Sequence, residues 1–311
     1  MKISIILPVY NEEESILILI DELIDLKEIK NDLKEIIFID DGSTDNTKKI
    51  LDECAEKNNL IKVISLVKNF GQTAAISAGI DYSTGEILVT MDADLQNDPK
   101  DIPQLLKKLE GGFDVVCGWR KERKDKYFSR ILPSKIANWI ISKISKVPLH
   151  DYGCTLKIFK RHILDGIKLY GEMHRFIPIY IAWNGGKITE SPVKHRFRKY
   201  GESKYGISRT ISVIVDLLFL KFLEKQFSHP LHLFGGFSLI NFTLSVFSFV
   251  LMLYYKLYGG KSFIETPLPQ LAILFIMIGF ISLFMGFLAE ILMRTYYESQ
   301  NRTAYVKRKV L

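Results

Sequence analysis

The first 120 residues alternate short apolar runs with segments whose apolar positions recur at helical spacing. Ile3–Leu7, Glu35–Asp40, Lys62–Leu66, Glu86–Met91 and Asp114–Gly118 are short and contain Ile or Val, and they predict strands. Segments 12–25, 44–57, 72–82 and 100–109 predict the helices between them, with Thr44 as an N-cap and Pro99 at a helix start. Strand–helix alternation with continuously apolar strands implies an α/β fold, a mostly parallel Rossmann-like sheet covered on both faces. Ligands of such sheets bind beyond the carboxyl ends of the strands. That rule singles out Pro8–Glu12, Asp40–Asp45, Asp92–Gln96 and Trp119–Arg123. Farther along, Phe128–Lys146 predicts a helix with basic residues on one side, and Thr155–Phe159 and Lys187–Phe197 predict further strands.

The last third changes character. Segment 207–226 has helical apolar spacing interspersed with Arg209, Asp216, Lys221, Glu224 and Lys225, a pattern that suits a helix lying on a membrane surface. Leu231–Tyr255 and Leu268–Ala289 contain no Lys, Arg, Asp or Glu. Each is long enough to cross about 30 Å of hydrocarbon. The connection Lys256–Pro267 has two basic residues, whereas Arg294–Lys309 has five. The positive-inside rule then puts both termini in the cytoplasm and the short loop outside, in a multi-pass protein of the cell (plasma) membrane. The start of the chain lacks the long apolar region of a signal peptide. The expected organisation is a cytoplasmic α/β domain at 1–206, an amphipathic interfacial helix at 207–229, a two-helix transmembrane hairpin at 230–293 and a basic cytoplasmic tail at 294–311.

Composition adjusts this picture only in part. Hydrophobic residues make up 48% of the chain, an ordinary share, so their uneven distribution is what matters. The net charge of +7 gathers at 119–135, 194–209 and 294–309, the last two beside apolar segments. That placement points to a membrane surface and phosphate groups rather than to nucleic acid. Cys54, Cys117 and Cys154 are odd in number and widely spaced, against a disulfide framework or a zinc site and in keeping with a reducing compartment.

Asp92-Ala93-Asp94-Leu95-Gln96 follows an apolar strand. Two carboxylates so close repel each other unless a cation joins them. Mg²⁺ or Mn²⁺ takes oxygen ligands, often one or two carboxylates plus substrate phosphates. The pair therefore suits a nucleoside diphosphate whose leaving charge must be neutralised. Asp40-Asp41-Gly42-Ser43-Thr44-Asp45 also follows a strand, and Asp41 can accept hydrogen bonds from a base or a ribose. Neither a Gly-x-Gly-x-x-Gly fingerprint nor a P-loop occurs, so a pyrophosphate must be held in another way.

Leu7-Pro8-Val9-Tyr10-Asn11-Glu12, Phe38-Ile39-Asp40-Asp41-Gly42-Ser43-Thr44-Asp45 and Met91-Asp92-Ala93-Asp94-Leu95-Gln96 occur in that order. Together they resemble glycosyltransferase family 2, inverting enzymes with a GT-A fold. Gly201-Glu202-Ser203-Lys204-Tyr205-Gly206 and the paired spans are similar to the polyprenyl-phosphate branch, which includes dolichyl-phosphate mannose synthase and bacterial undecaprenyl-phosphate glycosyltransferases. The resemblance implies that 1–206 is a GT-A catalytic domain. It implies that Pro8, Tyr10, Glu12, Ile39 and Asp41 line the nucleotide, and that Asp92, Ala93, Asp94 and Gln96 surround the diphosphate. Mg²⁺ or Mn²⁺ would be held by Asp94, Asp92 and Gln96. Arg120, Arg198 and Lys204 match positions that contact the donor phosphates or the lipid phosphate. Arg130 and Ser134 match an acceptor-phosphate site, with His174 and Arg175 as further candidates. Asp92, Asp94, Arg120 and Lys204 form the expected catalytic set. Asp151 is a candidate for orienting the acceptor or a basic side chain.

One departure is informative. Many family 2 enzymes carry a Glu-Asp base, yet Gly171-Glu172-Met173-His174-Arg175-Phe176 has no such pair where it is expected. A phosphate acceptor is already ionised and needs no general base. The implied activity is inverting, metal-dependent transfer of a sugar from a UDP- or GDP-linked donor to undecaprenyl or dolichyl phosphate at the lipid bilayer. A processive polysaccharide synthase is the alternative enzyme, although its Gln-x-x-Arg-Trp motif is absent. A non-catalytic glycolipid-binding or scaffold subunit is the alternative outside enzymes. No motif selects the sugar or the base, and two spans per chain leave room for packing between protomers in a homo-oligomer.

Overall fold

A computed structural model of the chain describes residues 1–122, 131–164, 169, 171, 173–197, 199 and 230–299. The apolar runs form strands close to where their pattern puts them: β1 Ile3–Val9, β2 Leu33–Asp40, β3 Ile61–Ser65, β4 Ile87–Thr90 and β5 Val115–Trp119. Two shorter strands complete the sheet among the described residues, β6 Lys157–Lys160 and β7 Ile188–Pro192, in the order β3-β2-β1-β4-β6-β5-β7. β6 runs antiparallel to both β4 and β5, while the other pairings are parallel. Burial explains the continuous apolar runs, because every residue of β4 and nearly all of β1 and β2 are covered.

The covering helices are α1 Ile16–Ile24, α2 Thr47–Lys57, α3 Gln72–Tyr82, α4 Ile102–Glu110, α5 Leu132–Ser145 and α6 Ile177–Trp183. One core joins Ile16, Leu19 and Leu23 of α1, Leu51 of α2 and Leu105 and Leu109 of α4 to Ile5, Leu7, Phe38, Val89 and Ile158 of the sheet. Each such fully buried aliphatic side chain contributes about 1.5–3 kcal/mol. The helix α3 packs closely on β1 and β2 through Gly79, where an added Cβ would lie 2.3 Å from Ile6 Cγ2.

Element starts differ from the sequence pattern for local reasons. α2 begins at Thr47 rather than Thr44. The Thr44 N–H donates to Asn11 Oδ1 at 2.8 Å across the strand ends, so Thr44 is not the cap, and Asp45 Oδ1 accepts the Thr47 N–H instead. α1 begins at Ile16 because the carbonyl of Glu12 first closes a turn with the Ser15 and Ile16 amides. Pro99 opens a 3₁₀ turn that Asp98 caps before α4 continues it. The last predicted strand ends at Pro192, and His195 makes only an isolated bridge to Asn97.

At the edge of the sheet opposite the site, Glu35 of β2 is 1% exposed. Its Oε1 accepts from Ser4 Oγ, the Thr84 amide and Thr84 Oγ1 at 2.5–2.9 Å, and Oε2 pairs with Lys62 at 2.6 Å. Burial pushes its pKa up, but Lys62 and these donors outweigh burial and hold it down at about 2.

The chain divides into two units, Met1–Leu218 and Phe219–Leu311. Described on its own, the second is a hairpin of α7 Pro230–Tyr258 and α8 Leu268–Ser299. Both are long and apolar enough to cross a membrane. Gly279 faces the Phe242 ring, Gly286 faces Leu231 and Phe234, and Ser245 Oγ donates to the Ala272 carbonyl at 2.7 Å. Small residues thus let the two backbones approach, while Leu239, Phe247, Ile273 and Phe284 stay exposed on the outside.

Candidate active site

The carboxyl ends of β1, β2, β4 and β5 and the chain entering β6 carry the site. The β1 and β2 ends are laced together. The Asn11 amide donates to Ser43 Oγ at 3.0 Å, and the Glu12 amide to Thr47 Oγ1 at 2.8 Å. This fixes Tyr10 and Glu12 beside Asp41. The Asp41 carboxylate takes the Phe70 and Gly71 amides at 2.7 and 2.8 Å, which ties the loop after β3 to the β2 end. Gly42, at φ 73°, is needed there because a Cβ would lie 2.5 Å from the Lys68 carbonyl carbon. Pro8 is half-buried in this group, and the Ile39 side chain is fully buried beneath α3, so only its main chain can meet a ligand.

Asp92 and Asp94 follow β4. Gln72, the first residue of α3, donates to Asp92 Oδ1 at 2.6 Å. Leu95 adopts a left-handed φ of 62°, and the turn it makes lets the Gln96 amide reach Asp94 Oδ1 at 3.1 Å. A non-glycine residue held in that region stores strain, which structures tolerate mainly where function needs the geometry. Burial first, and the charge of Asp94 second, push the Asp92 carboxyl well above its usual range, against the pull of Thr155, Arg120 and Lys157. Two carboxyl groups sharing one enclosed strand end repel each other. Paired oxygen ligands in that condition fit a hard divalent cation.

Arg120, just past β5, meets Asp151 in a two-pronged pair, Nε to Oδ2 at 2.7 Å and Nη2 to Oδ1 at 2.9 Å. Arg120 is 16% exposed and Asp151 4%. Burial works against the guanidinium charge, but Asp151 outweighs it, so Arg120 stays charged. The Gly153 amide also donates to Asp151, and a Cβ at Gly153 would lie 3.2 Å from Arg120 Nη2 and 3.3 Å from Arg175 Nη1. The two arginines thus share one side of the turn after Asp151. His174 is buried, with Nδ1 at 2.6 Å from Thr73 Oγ1, which places its 3₁₀ turn on the start of α3.

Beside Arg120 opens a cleft of 690 Å³ between α5 and the segment 148–151. Ser134, Lys135 and Trp139 of α5 line one side, with Trp119 and Lys121 on the other. His150 stacks on Trp119 at 4.4 Å between ring centroids and is bonded to Glu190, which fixes that wall.

The structure therefore gathers Pro8, Tyr10, Glu12 and Asp41 at one part of this edge. It gathers Asp92, Ala93, Asp94, Gln96, Arg120, Asp151, His174 and Arg175 at another, and sets Ser134 in the adjoining cleft. Arg130, Arg198, Lys204 and the expected interfacial helix lie outside the described residues. Sequence reasoning missed Gln72, Thr155 and Lys157. Gln72 reads as an ordinary helix start, and Lys157 as a polar position within the predicted strand Thr155–Phe159.

Comparison with known proteins agrees with this geometry. Glycosyl transferase family 2 matches residues 4–167. The chain is 39% identical to a dodecaprenyl-phosphate galacturonate synthase from Rhizobium johnstonii, over 100% of this chain and 93% of the relative. It is 37% identical to an undecaprenyl-phosphate 4-deoxy-4-formamido-L-arabinose transferase from Proteus mirabilis, over 100% and 94%. Among solved structures, a mannosyltransferase from Pyrobaculum calidifontis in complex with GDP-Man and Mn²⁺ matches with a TM-score of 0.54 at 22% identity, over 72% of this chain and 64% of that one. A glucosyl-3-phosphoglycerate synthase from Mycobacterium tuberculosis, in complex with Mn²⁺, UDP and phosphoglyceric acid, matches with a TM-score of 0.53 at 19% identity, over 70% and 78%. These likenesses establish the GT-A fold, and with the family match over more than half of its length the chain belongs to glycosyltransferase family 2.

Proposed function

We propose that the protein transfers a sugar from a nucleotide-sugar to a polyprenyl phosphate and so makes a lipid-monophosphate-linked sugar. The observation that carries this is the Asp92–Asp94 pair just past β4, on the same sheet edge as the Arg120–Asp151 ion pair and the cleft. Full-length relatives named for dodecaprenyl- and undecaprenyl-phosphate transfer support the acceptor class.

Asp92, Asp94 and Gln96 would hold Mg²⁺ or Mn²⁺, which when bound neutralises charge on the leaving diphosphate. Structural neighbours solved with Mn²⁺ support that expectation. Asp41, with Pro8, Tyr10, Glu12 and the Ile39 main chain, would receive the nucleoside. In the transfer, an acceptor phosphate oxygen forms a bond to the sugar C1. The C1–O bond to the nucleoside diphosphate breaks, and the diphosphate leaves with the electron pair. No proton has to be removed from the acceptor, which fits a site where His174 is bonded to Thr73. Arg120, fixed by Asp151, offers a planar fork of donors to phosphate oxygens, and Ser134 faces the same cleft. Arg130, Arg198 and Lys204 would add cations, so that donor and acceptor phosphates can approach without prohibitive repulsion. The charge balance of the loops favours a cytoplasmic catalytic domain, with the hairpin 230–293 spanning the membrane, the helix 207–229 at its surface and the tail 294–311 inside.

The test is purified protein with Mg²⁺ or Mn²⁺, undecaprenyl or dolichyl phosphate and a panel of labelled UDP- and GDP-sugars, read as lipid-extractable label. Wild type is expected to label lipid with at least one donor, and Asp94→Asn to lose about 100-fold or more of that rate while remaining folded and membrane-bound. Wild-type rates in Asp94→Asn would sink the proposal.

A further inference from the structure

Among the described residues Lys157 is the one buried lysine, 2% exposed at the start of β6. No ion pair recorded among the described residues includes it. Its ammonium donates to main-chain carbonyls, Cys154 O at 2.5 Å and Tyr152 O at 3.4 Å. A cation out of water without a contacting carboxylate is costly, so a stability role alone gives a poor reason for it.

We propose that Lys157 is a positioning residue, whose ammonium tethers the turn Tyr152–Cys154 so that Asp151 holds the Arg120 guanidinium in place beside the diphosphate site. Three features carry this, and the part played by Arg120 rests on the transfer reading above. The tethered carbonyls belong to Tyr152 and Cys154, in the turn that follows Asp151. On its other side the turn is pressed by the Arg120 and Arg175 guanidinium groups, both within 3.3 Å of where a Gly153 Cβ would sit. Lys157 also pairs in register with Thr90 of β4 and Cys117 of β5, between the strand that delivers Asp92 and the strand that delivers Arg120. A shift of the turn would move Arg120 by way of Asp151, and misplacements of about 1 Å can cost on the order of 100-fold in rate.

The experiment compares full-length wild type with Lys157→Met and Lys157→Arg. Methionine has similar length but no charge and no donors. Lys157→Met is expected to stay folded with a thermal midpoint within a few degrees of wild type, because relief of a buried charge offsets the donors lost to two carbonyls. Its kcat is expected to fall about 10- to 100-fold with the donor KM little changed. Lys157→Arg, which keeps a charged donor, is expected to recover most of the rate. Exchange of the Gly153 amide, which needs no substrate, is expected to quicken at least about 10-fold in Lys157→Met. Wild-type kcat, an unfolded Lys157→Met protein, or unchanged exchange at Gly153 overturns the proposal. If wild type itself transfers no sugar, the reading of function fails, and the exchange comparison still decides the role of Lys157.

Discussion

At the scale of single residues, the site is a set of enclosed charges, of which Arg120 and Asp151 hold each other. Asp151 is engaged by Arg120 in a two-pronged pair, which favours the reading that it orients a basic side chain. Gly153 tests how tight that arrangement is. Gly153→Ala would bring a methyl against the guanidinium ends of two long arginine side chains, which can shift by a few tenths of an ångström at small cost to folding. Transfer is expected to fall about 10-fold or more with a thermal midpoint within a few degrees of wild type. Equal loss of both would show that the turn is merely structural. The placement of Asp92, Asp94 and Arg120 at the carboxyl edge of the sheet was legible because each lies just past a predicted strand. Asp151 was a weaker candidate because no strand announces it. Lys157 was not legible at all, since nothing local tells a strand lysine that snorkels to water from one that turns inward. Gln72 escaped for the same reason, because its partner lies 20 residues away.

At the scale of elements, the strands were readable because both faces of the sheet are buried, which forces unbroken apolar runs. Helix starts were less so, since Thr44 spends its amide on Asn11 across the strand ends. Nor did the pattern show that β6 runs against its neighbours, because direction leaves no trace in hydrophobicity. Opposite the site, Glu35 joins β1, β2, β3 and the turn before β4. Its folded-state pKa lies below the ordinary one, so its contribution is present above about pH 4.5 and fades as pH falls towards about 2. Glu35→Gln should therefore cost about 1–3 kcal/mol near neutral pH, the exposed Lys62 end keeping the figure modest. The gap between wild type and variant should close between about pH 4.5 and about pH 2 in thermal melts. A gap that stays constant with pH would count against the ionised strut.

At the scale of the whole molecule, one unit carries the chemistry and the other is a hairpin suited to hydrocarbon, a division visible in where the charges stop. The hairpin depends on close backbone approach. Gly279→Val would set a side chain where a Cβ already lies 2.6 Å from the Phe242 ring. It should lower resistance of α7 and α8 to unfolding in SDS by about 1–3 kcal/mol and leave nucleotide binding by the first unit intact. Loss of nucleotide binding in this variant would mean that the two units are energetically coupled. The reversed strand β6 has a further consequence. It spaces β4 from β5 by two strand separations, about 9.5 Å. A reversed strand also begins where its neighbours finish, which delivers the segment from Asp151 to Lys157 to that gap. The antiparallel insertion thus acts as a gauge block, setting the spacing of the two strands whose ends carry Asp92 and Arg120.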